Sequence, residues 1–183
     1  MIMFARIDIL LFLLFLFCIA TTSTARDLDE MQLVGTGEVH YLKFIKVYDA
    51  TLYSENFTGN EDILENTVSK CLELHYAVGI EKDDFITAAN TILFRQFSAD
   101  RLDRLQDELT TFHNRYKDVK KGDSYTLCYS KADQTTRLAL NGVELVSISE
   151  PDFAKIYFSI WLGSTAPLDE QLRKDLLVKT FND

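Results

Sequence analysis

The familiar catalytic signatures are missing from this chain. It has no G-x-S-x-G nucleophile elbow, no glycine-rich phosphate loop, no C-x-x-C and no H-E-x-x-H. Gly35-Thr36-Gly37 is too short for a dinucleotide fingerprint and leads into a strand rather than a helix. No cofactor is implied. Histidine is scarce, with only His40, His75 and His113. Cys71, Glu73 and His75 alternate onto one face of an expected strand, but Cys71 and His75 would stand about 13 Å apart along it. An ion bound at about 2 Å cannot take both, so no metal site is expected.

Basic charge is also short. Lys and Arg number 19 against 28 Asp and Glu, a formal charge of −9. Such a surface repels phosphate backbones and anionic headgroups, which excludes nucleic acid as a natural partner. No apolar run is long enough to cross a bilayer. Ile9 to Ala20 is a run of twelve, against the roughly 18 residues a span requires. Arg6 before it and the small residues Ser23-Thr24-Ala25 after it make residues 1–25 a secretory signal peptide, cut between Ala25 and Arg26. Phe17 is too bulky for the lipobox that lipid attachment at Cys18 would need. Residues 26–183 then form one domain, without linker or repeat, large enough to bury a core unaided. The expected location is periplasmic or secreted, with no membrane span after cleavage. Asn56-Phe57-Thr58 is a glycosylation sequon, relevant only where exported proteins are glycosylated.

What remains is a regular alternation of elements. Phe44–Tyr53 is rich in β-branched and aromatic residues and reads as a long strand. Cys71–Val78 follows with two-residue alternation. Asp83–Phe97 carries an apolar stripe at helical spacing. Ser98 caps a second expected helix reaching Tyr116, with Leu102, Leu105, Leu109 and Phe112 on one side. Lys121-Gly122-Asp123 turns the chain back into strand. Asn141-Gly142 predicts a type I′ hairpin between Arg137–Leu140 and Val143–Val146. Ser149, Pro151 and Asp152 read as a capping box for a helix buried through Phe153, Ile156, Tyr157, Ile160 and Trp161, with Gly163 as its C′ residue. Pro167 opens a last short helix. Strands grouped apart from helices predict an α+β fold, an antiparallel sheet packed against a layer of helices.

Two cysteines follow the leader. If Cys71–Val78 and Ser124–Ser130 pair antiparallel, Cys71 and Cys128 fall on the same, more polar side, one near a strand start and the other near a strand end. A disulfide would suit an oxidising compartment; two unpaired thiols are the alternative. The aromatics Tyr48, Tyr76, Tyr125, Tyr129, Tyr157 and Trp161 mostly build core. A few inward phenols above an apolar cavity would suit an amphipathic ligand with one polar end.

Lys120 to Gly163 runs turn, two strands, Asn-Gly reversal, third strand and capped helix ending Ile160-Trp161-Leu162-Gly163. That series resembles the C-terminal half of the chalcone isomerase-like family. Lys43 to Tyr53 resembles the family's first long strand and Leu72 to Tyr76 its second, so the likeness covers Val34 to about Leu177. The closest variety is the bacterial, exported type, on Asn141-Gly142, Asp152-Phe153 and Ile160 to Gly163.

The resemblance implies a pocket between sheet and helices. Plant chalcone isomerases close a flavanone ring with an arginine just before the first long strand, a threonine on it, and a helical tyrosine and asparagine. Their arginine site falls near His40 here, the threonine site on Tyr48 and the tyrosine site near Phe85, while Asn90 is out of step. A neutral imidazole does not replace the donor fork of a guanidinium, and Phe85 has no hydroxyl. The resemblance therefore implies a non-catalytic relative. Fatty-acid-binding members share a tyrosine at the Tyr48 position but also hold the carboxylate with the arginine. The expected ligand is a small apolar or amphipathic molecule, with Tyr48 and His40 as candidate contacts to its polar end. Two other functions stay open. One is an isomerase or intramolecular lyase acting on an enone-like substrate, with His40 and Tyr48 in acid–base roles. The other is a structural or protein-interaction module whose core has no cavity.

Overall fold

Six antiparallel strands run in sequence order across one open sheet, each hydrogen-bonded to the next. The structure is a computed structural model that describes residues 31–55, 57–59 and 61–178. The expected leader with its cleavage point, and Asn56 of the sequon, lie outside the described residues.

Strand β1 is Gln32–Tyr41, β2 Ile45–Ser54 and β3 Lys70–Tyr76; β4 is Ser124–Ser130, β5 Thr135–Leu140 and β6 Val143–Ile148. Helices α1 (Lys82–Gln96), α2 (Ala99–Asp103) and α3 (Gln106–His113) fill the β3–β4 connection, and α4 (Pro151–Leu162) and α5 (Glu170–Leu177) follow β6. This is the α+β arrangement that the pattern of elements predicts. The core lies between the inner sheet face, which carries Leu52, Leu72, Leu74, Leu127 and Leu138, and the helices, which contribute Ile92, Phe112, Phe153, Ile156 and Leu172. Helix α4 sits deepest: nine of the ten residues from Phe153 to Leu162, all but Lys155, are buried.

Strand β1 is the element that pattern reading did not supply. Its glycines weaken any strand signal, but tertiary packing requires them. A Cβ on Gly35 would lie 2.4 Å from the Asp175 carbonyl oxygen, and one on Gly37 would lie 2.7 Å from Leu172 Cδ1. Bare backbone at these two positions lets α5 lie directly on the edge strand.

Several local expectations change for physical reasons. The helix expected from Ser98 to Tyr116 is two helices, because the backbone at Leu105 leaves helical geometry (φ −115°, ψ 18°). Ser149 does not cap α4: its hydroxyl pairs with that of Thr135 at 3.1 Å. Glu150 is the N-cap, and its carboxylate accepts from the Asp152 N–H. Gly163 is not left-handed (φ −63°); a side chain there would meet the Ser159 carbonyl at 2.6 Å. Asn141 and Gly142 do adopt the positive φ angles of a I′ turn, 51° and 77°.

Candidate ligand cavity

The inner sheet face and the helices do not close on one another completely. Between them lies a cavity of about 790 Å³, within the range of pockets that enclose small molecules. Its floor is Tyr48 of β2, Leu72, Leu74 and Tyr76 of β3, Tyr125 and Leu127 of β4 and Leu138 of β5. Its roof is Phe85, Ala88, Ala89 and Ile92 of α1 with Tyr157, Ile160 and Trp161 of α4. Small residues line part of the space on α1, Ala89 buried and Ala88 exposed. Tyr41 and Ile45, which are 62% and 50% exposed, line the side where the cavity meets the surface, together with Val47 and Asp84. They belong to the β1–β2 hairpin, whose tip also exposes Leu42 and Phe44.

The polar groups inside are phenols. Tyr116 and Tyr157 share a hydrogen bond, oxygen to oxygen, of 2.8 Å. The Tyr125 hydroxyl donates to the Lys117 carbonyl at 2.9 Å and accepts from the Lys117 N–H at 2.8 Å. Tyr48 accepts from Trp161 Nε1 at 3.2 Å, which leaves its own proton available. Tyr76 lines the cavity and is 2% exposed. Its ring stands edge-on to Tyr48, Phe85 and Tyr125 at 5.5, 5.6 and 6.1 Å. Among the described residues its hydroxyl finds no hydrogen-bond partner.

Burial pushes the pKa of Tyr48, Tyr76, Tyr116 and Tyr157 well up, because a phenolate there would lose its hydration. At neutral pH these side chains are proton-bearing hydrogen-bond donors, and none is a base. Among the described residues no lysine, arginine or histidine lines the cavity, and the one charged lining residue is Asp84.

The candidate contacts separate. Tyr48 is in the cavity. His40 is not: it is exposed on the far side of β1, with Nε2 3.6 Å from a Glu38 carboxylate oxygen. The cause is the alternation of β1: His40 stands between Val39 and Tyr41, which both line the cavity. Val47 and Tyr48 both reach the cavity alongside Val39, while His40 pairs with Lys46, whose ammonium bonds Glu38 at 3.0 Å and Asp49 at 2.5 Å. Phe85 does line the cavity, stacked on Tyr116 at 5.4 Å. Asn90 faces a second, smaller cavity between α1 and the α2–α3 pair. Arg137 lies on the outer sheet face with Asp133 and Glu144. Tyr76 is the contact that the sequence reading left among the core aromatics. The signal was present: it alternates with Leu72 and Leu74 on the buried face of β3.

Cys71 and Cys128 are register partners on β3 and β4, with Cα atoms 4.1 Å apart and sulfurs joined at 2.00 Å. Among the described residues no three His, Cys, Asp or Glu side chains gather as a metal site, and no helix is long and apolar enough to cross a membrane.

The chalcone isomerase-like family model matches residues 19–178. Among curated proteins nothing matches the sequence. Among solved structures, the crystal structure of an Arabidopsis thaliana fatty-acid binding protein superposes with a TM-score of 0.61, at 18% identity over 81% of this chain and 87% of that one. At that identity the likeness speaks for the fold alone.

Proposed function

The chain belongs to the chalcone isomerase-like family, and on that premise we propose that it is a non-catalytic binding protein enclosing a small apolar or amphipathic, fatty-acid-like molecule between sheet and helices. The observation that carries this reading is the cavity of about 790 Å³, walled by apolar and aromatic side chains and furnished, among the described residues, with phenol and indole side chains and, at its opening, one carboxylate. Such a lining offers an apolar molecule burial and gives its polar end a few fixed donors. The similarity of fold to a fatty-acid binding protein agrees with it.

Ring closure or proton abstraction would need a base or an oxyanion clamp within reach of the substrate. Phe85 brings no hydroxyl, His40 points away, and the phenols hold their protons. A purely structural module would instead fill its core, which these layers do not. We read the protein as exported. Residues 1–25 carry the pattern of a secretory leader, and a Cys71–Cys128 bridge would persist in an oxidising compartment.

The test is direct. Protein purified from its own compartment is examined by native mass spectrometry, then denatured and extracted. A co-purifying lipid or other apolar molecule supports the reading. Trp161, the only tryptophan, lines the cavity, so its fluorescence should change when an acyl-chain probe is added after delipidation. Protein that carries nothing and shows no Trp161 response to any probe refutes the reading.

A further inference from the structure

We propose that the polar end of the bound molecule is uncharged: the cavity selects a long apolar molecule ending in a neutral oxygen, such as an alcohol, ketone or ester, seated against Tyr76 and Tyr48, over the corresponding carboxylate. This inference rests on the binding function proposed above.

Three observations carry it. First, no cationic side chain among the described residues lines the cavity, and the charged group that does, Asp84, repels a second carboxylate. A head-out orientation that leaves the acid at the opening therefore meets charge of its own sign. Second, the hydroxyls are unequally committed. Tyr116 and Tyr157 are paired with each other, one giving its proton and the other accepting it, and Tyr125 is held at both ends by Lys117 backbone. Tyr48 has used one lone pair on Trp161 and keeps a proton to give. Tyr76 is 2% exposed and has both a proton and lone pairs unused among the described residues. The Tyr76 side chain lines the cavity, where a ligand oxygen can meet its hydroxyl, and Tyr76 and Tyr48, with rings 5.5 Å apart, form one platform for a shared oxygen. Third, two phenols can hydrogen-bond a carbonyl or alcohol oxygen fully. They cannot offset the lost hydration of a carboxylate, for which proteins supply a cation or several N–H donors. The same environment disfavours the charged form of Tyr48, Tyr76, Tyr116 and Tyr157.

The experiment compares oleyl alcohol, methyl oleate and oleate at pH 8, below their aggregation limits, against delipidated full-length protein, reading Trp161 fluorescence and native mass spectra. We expect the two neutral probes to bind at least about tenfold more tightly than oleate. Tyr76→Phe should weaken the alcohol about five- to tenfold, the loss of one buried hydrogen bond, and leave oleate nearly unchanged. Because that hydroxyl bonds no described residue, urea melting of Tyr76→Phe should match wild type. Val47→Arg, which places a cation on the cavity wall, should shift the preference towards oleate and so cancels any intrinsic difference in solubility. Oleate binding as tightly as the alcohol, or no effect of Tyr76→Phe on the alcohol, overturns the inference while leaving a binding protein. No response to any of the three probes overturns the binding function itself.

Discussion

Lys70 is a lysine where a lysine is expensive, and replacing it with methionine tests the electrostatic reasoning most sharply. It begins β3 with no solvent exposure. Its ammonium donates to the carbonyls of Glu65 and Val68, each at 3.1 Å, and lies 4.7 Å from the Tyr129 ring centroid and 5.5 Å from that of Phe158. Among the described residues no carboxylate pairs with it; the Glu65 side chain is engaged by Lys155 at 2.6 Å. Burial lowers its pKa from 10.5 to about 8, against the partial support of Asp62 and Glu65. The sign follows. Between about 8 and 10.5 the unfolded chain holds a proton that the folded chain has released, so stability rises with pH across that window. The full difference is about 3 kcal/mol, of which about 2 kcal/mol should appear between pH 7 and 9.5. Lys70→Met fills the same space without a titrating group. It costs about 1 kcal/mol through the Val68 carbonyl left unbonded, since Glu65 still accepts from the Val68 N–H. Urea unfolding of both proteins at pH 7 and 9.5 gives the measurement as a difference between differences. Buried tyrosines pull the other way as they near the ordinary phenol range, but equally in both chains. Wild type should gain about 2 kcal/mol more than the variant over that interval. Equal pH dependence in the two proteins would refute the account of Lys70 as a desolvated, unpaired ammonium.

Three further outcomes follow from the same structure. Replacing both Cys71 and Cys128 with alanine should cost about 4 kcal/mol, because the bridge spans a sequence separation of 57 and loop closure on that scale removes unfolded-state entropy; urea melts with and without reductant, alongside thiol titration, check it. His113 is buried with Nε2 unsatisfied, and desolvation lowers its pKa from 6.5 to about 4. The unfolded chain therefore takes up protons first on acidification, and stability should fall by about 2 kcal/mol as pH drops from 6.5 to 4, a slope that His113→Leu should largely abolish. Gly35→Ala should destabilise by about 1–3 kcal/mol by forcing α5 off β1, whereas Gly59→Ala, with nothing within 4 Å, should show only the smaller cost of its left-handed backbone in thermal melts.

What the sequence determined by itself was the order and kind of most elements. Alternation in β3, the Asn141-Gly142 turn and the apolar stripe of α4 are each set by neighbours within a few residues, and local chemistry suffices to read them. The shared side of Cys71 and Cys128 was also legible, because parity along two strands is a local property and only their pairing is not. Tyr48 was placed in the pocket by the family resemblance, since strand parity alone could not say which face a cavity occupies.

Tertiary structure decided the rest. Strand β1 is written in glycines, which make poor strand formers; its reason for existing is the close approach of α5, over a hundred residues later in the chain. His40 faces outward because it alternates with Val39 and Tyr41, which line the cavity, and that parity could be read only once β1 was known to be a strand. Tyr76 emerges as a buried ring whose hydroxyl has no partner among the described residues only once the hydrogen bonds of Tyr48, Tyr116, Tyr125 and Tyr157 are known. The absence of a cation beside those phenols is likewise a fact of three dimensions. The chain has 19 Lys and Arg residues, and only their positions in the fold show that none described lines the cavity.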